Sequence, residues 1–158
     1  MIRLPLAFAW LFLFAAAHVS AEPNAAGRIG DLAYDDARWK VERAGDGYSV
    51  TSRRDKYPDV SIFVTIAPGE ASACSDDLMT KATDFLRDRK FQTISKPGFD
   101  IHVVSAWTGC RNARPPSVQA CAAYKRRIYR FDSPVIGCRG GPGFGDRALD
   151  FLSGLSAP

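Results

Sequence analysis

Apolar and polar positions alternate along much of this chain, in short runs separated by glycine and proline. RWKVERA (38–44) places Trp39 and Val41 at alternate positions and predicts a half-buried strand. Gly45-Asp46-Gly47 predicts a turn, and YSVTSRR from 48 predicts the returning strand of a hairpin. KYPD (56–59) interrupts the chain. VSIFVTIA (60–67) is β-branched and nearly all apolar, which predicts a central strand buried on both faces and ended by Pro68-Gly69. FQTIS (91–95) predicts a short strand, and Lys96-Pro97-Gly98 a turn. FDIHVVSAW (99–107) predicts a strand with Ile101, Val103, Ser105 and Trp107 on one side, and His102 and Val104 on the other. AAYKRRIYRF (122–131) reads as one long strand, turned at Asp132-Ser133-Pro134 and resumed briefly at Val135-Ile136.

Two segments change period from two to about 3.6. In the first, Ser75 is placed to cap a helix and Asp76 and Asp77 to meet its N-terminal dipole. Leu78, Met79, Ala82, Phe85 and Leu86 then recur at three- and four-residue spacing. The opposite face carries charges of both signs, which suits a core-facing helix rather than a membrane-lying one. A last helix from about Asp146 gathers Ala148, Leu149, Phe151, Leu152 and Leu155 on its apolar side.

The order of elements is strands, helix, strands, helix. It predicts an α+β fold: a mostly antiparallel sheet with two flanking helices, forming a single domain over 29–158 after a flexible lead-in at 22–28. This order resembles the small exported domains of the PsbP/Mog1-like type across nearly all of that length. The resemblance implies an accessory or binding protein without catalysis. It includes no diagnostic motif, so no functional residue is carried over from it.

The first residues give an address. Arg3 is the only charge before an apolar run from Leu4 to Ala17, and Val19-Ser20-Ala21 then supplies small residues for cleavage. Residues 1–21 therefore predict a secretory signal peptide and a periplasmic or secreted location. No later apolar run reaches spanning length, so no integral membrane insertion is expected after cleavage. Asn24 and Asn112 sit in Asn-Ala contexts and form no glycosylation sequon, which favours a bacterial periplasm.

An exported chain changes the meaning of Cys74, Cys110, Cys121 and Cys138. Four cysteines in an oxidising compartment predict two disulfides, with three pairings open. Cys110 and Cys121 lie at the two feet of the connection between the strands at 99–107 and 122–131, so the expected pairs are Cys110–Cys121 and Cys74–Cys138. A zinc site is disfavoured: there is no CxxC pair, and His102 is the only histidine after residue 21.

Charge and motifs narrow the chemistry further. The formal net charge is +4, with 21 basic and 17 acidic residues spread along the chain. That is far from the density of a dedicated nucleic-acid binder, so nucleic acid is not the expected partner. The stapled span CRNARPPSVQAC (110–121) would present Arg111 and Arg114 beside a stiff Pro115-Pro116 pair to a protein partner in the cell envelope. The plainer reading is a tied-down surface connection. Lys125, Arg126, Arg127 and Arg130 form the densest basic cluster, interleaved with Tyr124, Tyr129 and Phe131. On one strand Lys125 and Arg127 would share a face and Arg126 and Arg130 the other, so the cluster would be split. Binding candidates are thus Arg111, Arg114, Lys125 and Arg127. CRGGPGFGDRA (138–148) lacks the lysine and hydroxyl of a P-loop. No cofactor is expected.

His102 is the one candidate general base near neutral pH. Asp100 shares its face, whereas Ser105 lies on the opposite side. No GxSxG or HExxH motif accompanies it. Two functions stand against each other. One is an exported, non-catalytic binding or accessory protein. The other is a small secreted hydrolase of phosphodiesters or polysaccharides, using His102 with nearby arginines and aspartates.

Overall fold

The computed structural model describes residues 26–53, 61–74, 78, 87–107, 117–133 and 144–158. Among the described residues there are nine strands: β1 (Ala26–Ile29), β2 (Leu32–Asp35), β3 (Trp39–Ala44), β4 (Gly47–Ser52), β5 (Ile62–Pro68), β6 (Arg87–Lys96), β7 (Phe99–Trp107), β8 (Ser117–Tyr124) and β9 (Arg127–Ser133). β1 and β2 form a separate hairpin; the other seven make one sheet in the order β3-β4-β5-β9-β8-β7-β6. Every pairing is antiparallel. Two meanders, β3 to β5 and β6 to β9, thus meet where β5 lies against β9.

The inner face of this sheet holds the main core. Alternation puts Trp39, Val50, Ile62, Val64, Phe131, Tyr129, Ala120, Ala122, Ile101 and Val103 on it. The C-terminal helix (Phe144–Gly154) closes this face with Ala148, Phe151 and Leu152, and Leu155 follows just beyond it, all buried. This is the expected 3.6-residue stripe. The Phe151 ring lies edge-on to Trp39, with centroids 5.2 Å apart, and near Phe131 at 6.3 Å. The β1–β2 hairpin shares the cover through Ile29 and Leu32. It is joined to the chain's end by a two-bond bridge between Ala33 and Ser156. Arg38 pairs with Asp150, and Lys96 Nζ donates to the Ser153 carbonyl, so both ends of the sheet are fastened to the helix.

Turn chemistry sets the register. Gly30, at φ +59°, makes the β1–β2 turn, and a Cβ there would lie 2.9 Å from the Tyr129 hydroxyl. That hydroxyl accepts a hydrogen bond of 2.9 Å from the Asp31 N–H. Burial raises the phenol's pKa, and this hydrogen bond offsets part of the rise. The hairpin predicted around Gly45-Asp46-Gly47 and the turn at Pro97-Gly98 are both present.

Several expectations are corrected. AAYKRRIYRF is not one strand. Lys125 and Arg126 take left-handed φ values of 50° and 60° and turn the chain between β8 and β9. The apolar, β-rich residues on either side hide that turn in the sequence. VSIFVTIA is not buried on both faces: Phe63 is 42% exposed and Thr65 is exposed, while Ile62 and Val64 are buried. β1 starts at Ala26, inside the stretch read as a flexible lead-in. β6 is twice as long as FQTIS. Residues 71–74 are helical, as is Leu78. Residues 75–77, Met79, Ala82, Phe85 and Leu86 lie outside the described residues, as do the signal-peptide residues 1–21 and Val135-Ile136.

Candidate functional site

The outer face of the sheet is built differently. Reading across the strands, one row carries Ser49, Phe63, Asp132, Gln119, Val104 and Phe91. The next carries Thr65, Arg130, Cys121, His102 and Thr93. The face mixes apolar, charged and amide groups. A covalent bond fastens the chain after β5 to it. Cys121, at the middle of the sheet, is joined to Cys74 in the connection between β5 and β6, with the two Cα atoms 5.6 Å apart.

This pairing corrects the expected Cys110–Cys121 and Cys74–Cys138 bridges. Residues 117–121 are not part of a loop. They are already in β8, and the Cys121 side chain points into the outer face, opposite His102 on β7 and Arg130 on β9. The bond therefore ties a crossover to the sheet rather than closing the 110–121 span. Cys110, Cys138, Arg111 and Arg114 lie outside the described residues.

Cys74, Leu78, Val104, Cys121 and Ile128 form a small second core around the bond. Leu78 borders a hollow on each side. One, of about 250 Å³, is lined by Phe63, Thr65, Gln119, Arg130 and Asp132. The other, of about 310 Å³, is lined by Phe91, Gln92, Thr93, His102 and Val104. In the first, desolvation pushes the Asp132 carboxyl above its ordinary pKa, and a hydrogen bond from Gln119 pulls it part of the way back. Asp132 is solvent-exposed, so water screens much of that effect. In the second, Thr93 Oγ1 lies 3.3 Å from His102 Nδ1. Asp100 shares the face of His102, as expected, but sits opposite Ser95 at the next row.

Lys125 and Arg127 are far from this face's centre, at the tip of the β8–β9 hairpin, and are not brought near His102. Arg127 Nε is 3.5 Å from Asp31 Oδ2, and Lys125 Nζ sits 5.3 Å from the centroid of the Tyr124 ring. Among the described residues, no cluster of three or more His, Cys, Asp or Glu side chains could hold a metal, and no helix is long and apolar enough to cross a membrane.

Sequence reasoning missed Phe63, Phe91, Gln119 and Asp132. Phe63 and Phe91 are the exposed large hydrophobics among the described residues, at 42% and 54%. Phe63 occurs in a run whose composition suggested burial on both faces, and Phe91 in one read only as a short strand. The only signal was strict alternation, which assigns Phe63 and Phe91 to one face but cannot say that the face is open. No protein-family model matches the chain, and no curated protein matches it in sequence.

Proposed function

We propose that this chain is an exported, disulfide-stapled α+β domain that binds a protein partner in the cell envelope and performs no catalysis itself. One observation carries the reading: Phe63 and Phe91 stand on the same cross-strand row of the outer face, one on each side of the Cys74–Cys121 tether. Four strand spacings separate them, or about 19 Å. Two exposed aromatic rings flanking open, mainly apolar hollows match the anchors of a protein interface, where aromatic side chains supply most of the contact energy. The internal disulfide supports an oxidising compartment and so agrees with removal of residues 1–21 on export to a periplasm or the exterior. The PsbP/Mog1-like order of elements points to the same accessory role.

The test uses residues 22–158, oxidised and carrying an affinity tag, to capture partners from the envelope fraction of the source cells after crosslinking. The double variant Phe63→Ser/Phe91→Ser is expected to melt within a few degrees of the wild type and to lose the captured partner. Capture that survives both substitutions excludes this face.

The hydrolase reading has one supporting observation, the hollow that joins His102 to Thr93. Turnover of a phosphodiester or polysaccharide that disappears in His102→Ala, with an unchanged melting temperature, would replace the binding reading.

A further inference from the structure

The tip of the β8–β9 hairpin does not take part in the outer face, and its backbone poses a question of its own. Lys125 and Arg126 are the only non-glycine residues with positive φ among the described residues, at 50° and 60°. A two-residue hairpin turn with both central residues left-handed favours Asn-Gly, because a Cβ is strained there. Two long cationic side chains occupy the places where strain-free residues would serve the fold better. Such an outlier points to use of the side chains rather than to folding.

The surroundings support a ligand site. Arg127 follows directly, so three cations leave one tight turn. The Arg126 carbonyl accepts a 3.1 Å hydrogen bond from the Gly69 N–H, which fixes the turn against the end of β5. Between them lies an open groove of about 400 Å³, lined by Ile66, Ala67, Pro68, Lys125, Arg126 and Arg127. Two carboxylates adjoin this corner: Asp31, 3.5 Å from Arg127, and Glu70, next to Gly69 in the chain. Three positive charges against these two leave a positive balance beside an apolar floor. Guanidinium forks and an ammonium group are matched to tetrahedral oxyanions.

We propose that this groove is a binding site for a phosphate group, with Lys125 and Arg126 as the principal ligands and Arg127 released from Asp31 to join them. The phosphate is either free in solution or the headgroup of an anionic lipid. The site is independent of the outer-face reading, since the two share no residue.

Two probes separate the sources. Inorganic phosphate is titrated at low ionic strength while amide resonances are followed by NMR, and vesicles of phosphatidylglycerol in phosphatidylcholine are used for flotation. Saturable shifts at residues 66, 67, 69 and 125–127 with inorganic phosphate assign the free ion. Flotation that depends on phosphatidylglycerol, without a response to the free ion, assigns the headgroup. The variant Lys125→Asn/Arg126→Gly installs the preferred turn. It is expected to melt at or above the wild-type temperature while binding at least about tenfold more weakly. Arg127→Gln, which leaves the turn intact, is expected to weaken binding by a smaller factor. Wild-type affinity in the turn variant, or no response to either probe, overturns the site.

Discussion

The two faces of the seven-stranded sheet are held by different means. The inner face is almost wholly apolar, and one amphipathic helix with a small hairpin closes it with no disulfide among the described residues. The outer face interleaves Asp132, Gln119, Arg130, His102 and Thr93 with its few apolar residues, and its second core is small. There the crossover is anchored by the Cys74–Cys121 bond. The difference teaches that a disulfide is of most use where the face it closes must keep polar groups and open hollows, and so cannot gain enough from burial.

The largest expected effect is on the inner face. Phe151→Ala empties the site between Trp39, Tyr34 and Phe131 and should cost about 4 kcal/mol in chemical denaturation. A loss below about 1 kcal/mol would mean that the helix does not anchor this face. Next comes the covalent tie. Cys74→Ala/Cys121→Ala opens a loop whose ends are 47 residues apart, and should destabilise by up to about 4 kcal/mol through loop-closure entropy. Peptide mapping of the oxidised protein should recover Cys74 linked to Cys121, and any other partner for either cysteine would refute the contrast. Tyr129→Phe should cost only about 1 kcal/mol, because it removes one hydrogen bond to the Asp31 N–H and keeps the buried ring.

The smallest effect belongs to the outer face and is one of pH. A carboxyl whose folded pKa is raised favours folding in its protonated form. Its contribution is full below the ordinary aspartate value and is lost as pH rises through the raised one. Relative to Asp132→Asn, the wild type should therefore lose stability across that acidic window. Melting curves from acid to neutral pH check it; parallel curves for the two proteins would show that Asp132 is fully solvated.

Legibility followed the same divide. The β3–β4 hairpin, β7 with its two sides, and the apolar stripe of the C-terminal helix could all be read directly, because each depends on local periodicity or turn residues. The β8–β9 turn could not, since Lys125 and Arg126 are not turn formers and their φ values are imposed by the pairing of the flanking strands. The candidate site was least legible. His102 and Lys125 stood out by residue type, whereas Phe63, Asp132 and Phe91 acquire meaning only from lying in register across five strands.

Local chemistry in the chain was enough to specify most of the elements, the apolar side of the last helix, and the expectation that thiols would be oxidised. Which cysteine meets which, which side of VSIFVTIA stays open to water, and which strands adjoin were decided by the assembled fold. These are contacts between residues distant in sequence. They depend on β5 docking against β9, and no short window of residues encodes that meeting.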